Sequence, residues 1–190
     1  MKLWTIHSME VWKILKQQGY YHGVDGLINK LGLCIEAYNW MKNQLALKTG
    51  IEKDYYPVWA WVKRPDLRTS GHLSKGEKGI LIEFEIDEND VLTSDFVLWH
   101  YVLNYWYLPS SMEEGDNFKN ELKNKGLSIY KQKPLPEPYH TKVVQSWQKI
   151  FDLDWFAKGI ADKREDKLMQ AVFWELKLEQ VKKVKEFIAR

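Results

Sequence analysis

The hydrophobic pattern changes from strand periodicity to helix periodicity within the first twenty residues. Residues 2–7 alternate in side-chain character and predict a short strand. Residues 9–18 carry apolar positions at helical spacing, with Ser8 able to cap the first turn and Gly19 able to end the last. The chain is therefore expected to open with a strand followed at once by a helix.

The next segments predict one long helix and two strands. Apolar residues recur every three or four positions over residues 27–45, which predicts a helix that Gly50 ends. Residues 55–62 predict a strand that begins, or runs at a sheet edge, near Pro57, because proline has no N–H to donate. Residues 79–86 form the clearest strand, and their apolar face predicts a central place in the sheet.

The second half of the sequence predicts three helices, a connector and the last strands. One helix is capped by Ser94 or Asp95 and runs through Tyr105, and two more span residues 111–125 and 141–151. Three prolines within residues 133–138 predict an extended connector. Residues 167–176 predict a strand, and residues 179–188 a helical turn leading into a final strand.

These elements together predict an α+β fold. We expect a mixed or antiparallel sheet of four to six strands with helices packed on its faces. The segment after the proline-rich connector holds too little apolar surface to fold alone. Residues 1–190 are therefore predicted to form a single domain, whose late strand returns to the main sheet.

Composition and charge exclude several functional classes. The formal net charge of +2 gives no strong signal for a nucleic-acid partner. The one cysteine, Cys34, excludes an internal disulfide and a cysteine zinc cluster, and it is expected to be inert packing in a helix. No two histidines have the spacing of a helical zinc pair, so no metal site is predicted. Without a secretory leader or a long apolar run, the protein is predicted to be cytoplasmic and not to interact with a membrane.

The aromatic content is high, with ten tryptophans, ten tyrosines and seven phenylalanines. The most informative cluster is Trp59 and Trp61, followed by Arg64 and Arg68, in a chain that has only four arginines. It predicts a stacking wall next to a clamp for phosphate or carboxylate. The alternative is a core tryptophan pair beside a surface ion network in which Asp66 joins the two arginines.

The whole chain resembles an uncharacterised bacterial domain family of unknown function. The resemblance is carried by five blocks of sequence. They are the Leu-Trp-Thr-Ile opening at residues 3–6, Tyr-Pro-Val-Trp-Ala-Trp at 56–61, Arg-Pro-Asp-Leu-Arg at 64–68, Ser-Asp-Phe at 94–96 with Trp99 and His100, and Phe-Trp-Glu-Leu at 173–176.

The chain opens with Leu-Trp-Thr-Ile-His at residues 3–7 and a helix that ends at Gly19, and it closes with Gln-Ala-Val-Phe-Trp-Glu-Leu at residues 170–176. These two ends resemble ADP-ribosyltransferase-like domains. In those domains an opening strand holds NAD through a His or Arg, and a late strand begins with a Glu or Gln that reaches the nicotinamide ribose. The resemblance implies NAD as a possible cofactor, with Thr5 among the residues that bind it and Gln170 and His7 in the catalytic positions. A neutral amide at residue 170 can hydrogen-bond a ribose hydroxyl but cannot stabilise an oxocarbenium-like centre by charge.

Two functions are compatible with these observations. The first is an ADP-ribosyltransferase-like enzyme or a degenerate NAD- or nucleotide-binding domain. It requires the strand near Gln170 to pair beside residues 2–7, so that Gln170, His7 or Thr5, and one of Arg64 and Arg68 line one cleft. The second is a non-enzymatic binding module whose aromatic groove takes a nucleotide or a protein partner.

Overall fold

The computed structural model describes residues 1–23 and 35–190. Cys34 and the first part of the helix predicted over residues 27–45 lie outside this described part. The chain forms two compact units: a sheet unit of residues 1–93 and 169–190, and a helical unit of residues 94–168. The predicted connector at 133–138 lies inside the helical unit and does not divide the two. That residues 1–190 form a single domain remains a prediction.

The sheet unit carries most of the strands. Its strands are β1 (Lys2–Ser8), β2 (Tyr20–Tyr21), β3 (Val58–Trp61), β4 (Lys78–Glu85), β6 (Met169–Phe173), β7 (Leu176–Lys177) and β8 (Val181–Ile188), and β5 (Leu92–Asp95) crosses the boundary to the helical unit. Its helices are α1 (Met9–Gln18) and α2 (Ile35–Thr49), with short 3-10 helices at Glu88–Asp90 and Leu178–Gln180. Ser8 caps α1 through the N–H of Val11, and Gly19 ends it in the left-handed conformation, as predicted.

The helical unit contains the three helices that the sequence predicts. They are α3 (Phe96–Leu103), α4 (Met112–Asn124) and α5 (Tyr139–Ser146), the last continued by a 3-10 helix at Trp147–Phe151. Asp95 caps α3 and Ser111 caps α4 through side-chain hydrogen bonds to the first turn. No helix in the described part of the chain is long and apolar enough to cross a membrane.

The α+β prediction is confirmed, and the order of the main sheet is β5-β6-β3-β1-β4-β8. The pairs β1–β3, β1–β4, β3–β6 and β4–β8 are antiparallel. Strand β3 begins after Pro57 and pairs on both sides, so the alternative of an edge strand is wrong. Strand β4 is an interior strand between β1 and β8, one position from the sheet edge, and its Ile80, Ile82 and Phe84 are fully buried.

One prediction about the late strands is wrong. β3 lies between β6 and β1, so the strand containing Gln170 does not pair beside the opening strand. In the tail, a helical turn at Leu178–Gln180 leads into the strand Val181–Ile188, in the predicted order. This last strand pairs with β4 along its length.

The core of the sheet unit lies on the face that α1 covers. Strand register places side chains from four neighbouring strands on this face, and Phe84 and Phe173 meet there with ring centroids 5.1 Å apart. The same cluster includes Leu3, Leu15, Ala60, Ile80, Ile82 and Ala171. Burying each large apolar side chain stabilises the fold by about 1.5–3 kcal/mol.

Candidate functional site

The sheet separates the residues that the transferase hypothesis brings together. Gln170 is the register partner of Trp61, and Trp61 is the partner of Trp4. Side chains alternate along a strand, so Thr5 and His7 point to one face while Trp4, Trp61 and Gln170 point to the other. A single cleft lined by Gln170 together with Thr5 or His7 is therefore not formed.

Thr5 and His7 are engaged inside the sheet unit. The Thr5 hydroxyl donates to the carbonyl of Trp59 at 2.8 Å, and Thr5 Oγ1 lies 3.0 Å from Nε2 of His7. The single hydroxyl proton is used in the first bond, so His7 donates from Nε2 in the second. The His7 ring also meets Tyr21 edge-on at 5.0 Å, and burial lowers its pKa to about 4. This histidine is a neutral, packed donor.

Trp59, Trp61 and Gln170 share the sheet face that bears Trp4. Trp59 packs edge-on against Tyr38 of α2, with ring centroids 5.7 Å apart. Gln170 is only 4% exposed. The aromatic face predicted from residues 59 and 61 therefore exists, but helix α2 occupies part of it.

The two predicted arginines have different surroundings. Arg68 binds both carboxylate oxygens of Asp66, with the shortest contact at 2.7 Å from Nη2 to Oδ2. This pair is one part of the surface ion network that the alternative predicts, and Arg64 does not join it. Arg64 instead lines a small cavity beside Trp4. A clamp made of both arginines is therefore not formed.

The helical unit contains a larger cavity, of about 610 Å³, which we call the aromatic cavity. Residues from α3, α4 and the intervening segment form its wall, together with the turn after α4 and Ile160. The large side chains that line it are Tyr101, Trp106, Tyr107, Met112, Phe118 and Tyr130, and the cations are Lys119, Lys123 and Lys131. Its volume is in the range of about 300–1,000 Å³ that is usual for small-molecule sites.

A reversal of the backbone at Tyr105 positions Trp106 at the cavity. Tyr105 adopts a positive φ of 57°, which is rare for a residue with a side chain. Its hydroxyl holds this conformation by bonding His140 Nδ1 at 2.8 Å and accepting the N–H of Leu135 at 3.0 Å. The carbonyl of Trp106 accepts the indole N–H of Trp147 at 2.8 Å. Trp106 and the turn that carries it are thus held by hydrogen bonds to residues that do not line the cavity.

Tyr107 forms a fixed part of the wall. Its ring stacks on Phe118 at 4.1 Å, and its hydroxyl donates to Glu114 in a short hydrogen bond. Glu114 also accepts the backbone N–H of Ser110. The Tyr107 hydroxyl is the largest cause of a lowered pKa at Glu114, while burial and then Glu114 raise the pKa of Tyr107. The phenol therefore keeps its proton at neutral pH and its ring stays in place.

The charged residues that line the aromatic cavity are all positive. Three lysines line it, and no Asp or Glu is among its lining residues. Lys119 lies 3.3 Å from Asp116, an exposed pair of little strength. Lys123 and Lys131 have no ion pair within residues 1–23 and 35–190. The cavity therefore combines apolar ring surfaces with unbalanced positive charge.

Sequence reasoning missed this site, although one signal pointed to it. Large apolar side chains stay exposed where they line the cavity: Trp106 at 36%, Met112 at 57% and Tyr130 at 79%. Met112 opens an otherwise polar helix, and Tyr130 lies in a lysine-rich segment. Apolar residues in such polar surroundings have no core to join, which is the pattern of a binding surface.

The comparisons with known proteins identify a family and no activity. The family model for a domain of unknown function, DUF3841, matches residues 2–182, so the chain belongs to this family. The predicted membership of an uncharacterised domain family is confirmed. Searches of curated proteins and of solved structures gave no match.

Proposed function

We propose that this member of the DUF3841 family is a binding module whose aromatic cavity takes a nucleotide-like ligand, with a flat ring system and a phosphate group. One observation carries the proposal. A cavity of about 610 Å³ is lined by aromatic rings and three lysines and by no acidic residue. Such a site complements a flat ligand that bears negative charge.

The ring system of the ligand is expected to lie against the aromatic wall. Tyr101 and Trp106 meet edge-on, with centroids 5.9 Å apart, and Tyr107 is fixed by its stack on Phe118. Rings held in this way lose little conformational freedom when a ligand stacks on them. Stacking of a nucleobase on an aromatic side chain contributes about 1–3 kcal/mol.

The phosphate is expected to meet Lys123 and Lys131. Both side chains line the cavity and neither has a competing ion pair in the described part of the chain. A lysine ammonium offers three donors and a mobile point charge, which suits a phosphate at the mouth of a pocket. Charge at this position favours a nucleotide over the uncharged nucleoside.

This proposal keeps NAD among the candidate ligands but describes binding rather than transfer. The transferase hypothesis needs Gln170 and Thr5 or His7 in one cleft, and the register of β1, β3 and β6 gives it no support. The resemblance of the chain ends to ADP-ribosyltransferase-like domains remains a prediction. The aromatic cavity is built by residues that this resemblance does not include.

Calorimetric titration of the protein with adenosine, AMP, ATP and NAD tests the proposal. We expect binding of the phosphorylated compounds, with adenosine at least tenfold weaker, because it lacks the group that the lysines neutralise. Two matched pairs of variants locate the site. Lys123→Glu should weaken AMP binding about tenfold and Lys125→Glu, whose side chain does not line the cavity, should leave it unchanged. Tyr130→Ser should weaken it, and Phe156→Ser, a 53% exposed control, should not.

Equal affinity for adenosine and AMP would contradict the proposal that the lysines bind the phosphate. No heat of binding for any of the four compounds, with a folded protein in the calorimeter, would contradict the nucleotide-like ligand. Equal losses in Lys123→Glu and Lys125→Glu would show a general charge effect instead of a local site.

A further inference from the structure

The sheet unit contains a second cavity, of about 210 Å³, that is separate from the aromatic cavity. Trp4, Arg64, Glu83, Lys183 and Lys185 are among its lining residues. The register explains this grouping. Glu83 of β4 is the partner of both Trp4 in β1 and Lys183 in β8, so the three side chains share one sheet face.

Three cations line this cavity, and one of them, Lys183, interacts electrostatically with Glu83. Arg64, Lys183 and Lys185 form no ion pair or hydrogen bond within residues 1–23 and 35–190. The one carboxylate that lines the cavity, Glu83, is already engaged. Lys2 lies 3.2 Å from it, and the Trp4 indole donates to it at 3.1 Å. The cavity therefore carries uncompensated positive charge.

We propose that this cavity binds a phosphoryl group, supplied by free phosphate or by a phosphate monoester. The guanidinium of Arg64 can bind two oxygens of a tetrahedral anion through its planar fork. Lys183 and Lys185 stand at alternate positions of β8, roughly 6.6 Å apart along the strand, and so approach the anion from one side. The anion would relieve the mutual repulsion of the three cations.

The source of the phosphoryl group depends on the role of Trp4. Its indole ring is half-buried and its N–H is bound to Glu83, so the ring has a fixed position at the cavity. An organic group attached to the phosphate would find an apolar surface there. Free phosphate would gain nothing from the ring. The two sources can therefore be separated by comparing inorganic phosphate with an aromatic monoester.

The chain offers matched controls for both kinds of cation. Arg68 lies four residues beyond Arg64, but its guanidinium is held by Asp66 at 2.7 Å. Lys182 lies on β8 beside Lys183, but it pairs with Glu85 at 3.5 Å and does not line the cavity. Arg68→Gln and Lys182→Gln therefore remove the same charges as Arg64→Gln and Lys185→Gln without touching the site.

The experiment measures the melting temperature in potassium phosphate and in potassium chloride of equal ionic strength. We expect a saturable rise in phosphate for the unaltered protein, for Arg68→Gln and for Lys182→Gln. In Arg64→Gln and Lys185→Gln the concentration of phosphate needed for half of the rise should increase at least fivefold. Tighter binding of phenyl phosphate than of inorganic phosphate, lost in Arg64→Gln but kept in Arg68→Gln, would assign the site to a monoester. Equal binding would assign it to free phosphate.

Two results would overturn the inference. One is the absence of a saturable rise in phosphate. The other is an equal rise in all five proteins, because phosphate also stabilises proteins by exclusion from their surface. Circular dichroism of each variant checks that it is folded before it is compared. The inference does not depend on the aromatic cavity.

Discussion

Asp95 and Lys167 form a buried ion pair, with 3.0 Å between Lys167 Nζ and Asp95 Oδ2 and side-chain exposures of 3% and 0%. They are the second and the second-last residues of the helical unit, residues 94–168. The other carboxylate oxygen of Asp95 accepts the N–H groups of Val97 and Leu98 and so caps α3. One carboxylate thus begins a helix and joins the two ends of the unit.

Lys167→Met is expected to destabilise the protein by about 3 kcal/mol, because it leaves the Asp95 carboxylate buried without its cation. Denaturant unfolding measures the loss. In Asp95→Asn/Lys167→Met the charge is gone and asparagine can still cap the helix. The double variant should therefore recover part of the stability. Lys163→Met, at an exposed lysine of the same unit, should change stability by less than about 0.5 kcal/mol. Equal losses in the single and double variants would contradict the unpaired Asp95 carboxylate as the cause of the loss.

His7 is expected to make the protein less stable as the pH falls from 6.5 to 4. Burial lowers its pKa from 6.5 to about 4, so between these values the unfolded chain binds a proton that the folded chain does not. Stability rises with pH wherever the unfolded state binds more protons. His7→Gln can still donate to Thr5 but does not titrate.

Unfolding of the two proteins at several pH values checks this sign. From pH 6.5 to pH 4 the unaltered protein should lose about 2.5 kcal/mol more than His7→Gln, with less than about 0.5 kcal/mol of further divergence below pH 4. If the free energies of unfolding of the two proteins changed in parallel over this pH range, the conclusion that His7 is buried and neutral would be contradicted.

Gly23→Ala is expected to destabilise the sheet unit by about 2 kcal/mol. A Cβ at residue 23 would lie 2.6 Å from the carbonyl oxygen of Tyr56 and 2.7 Å from that of Pro57, and backbone atoms cannot move aside cheaply. Gly71 provides the comparison, because it has a φ of 95° and no atom within 4 Å of a Cβ. Gly71→Ala should cost only about 1 kcal/mol from backbone strain. A larger loss at Gly71 than at Gly23 in thermal unfolding would contradict the close approach.

Local signals in the sequence predicted the elements well, since the structure uses the same local physics. Ser8 and Gly19 bound α1 because a hydroxyl satisfies a free N–H and a glycine accepts a positive φ. The order of the strands in the sheet could not be predicted from such signals. Alternation tells which residues of one strand share a face, but not that β3 inserts between β1 and β6. The error placed Gln170 beside His7, on what is the opposite face of the sheet.

The aromatic cavity was hidden from the sequence for a different reason. Its lining comes from segments between residues 101 and 160, and no short motif marks it. Trp106 reaches the cavity where Tyr105 takes a left-handed conformation, which the contacts of its side chain with His140 and Leu135 help to stabilise. Such a conformation depends on tertiary contacts that residue patterns do not reveal. Arg64 lines a cavity in the sheet unit, but the neighbours on β8 that share this cavity come from the far end of the chain.

The most direct test of the nucleotide-binding proposal is a methyl NMR titration with AMP. The chain has five methionines, and Met112 alone among them lines the aromatic cavity, while Met1, Met9, Met41 and Met169 belong to the sheet unit. With ¹³C-labelled ε-methyl groups, and Met112→Leu to assign the signal, the resonance of Met112 should shift in a saturable manner as AMP is added. The resonances of Met9 and Met41 should stay in place, and adenosine should need at least a tenfold higher concentration for the same shift. A Met112 signal that does not move at saturating AMP would contradict the account.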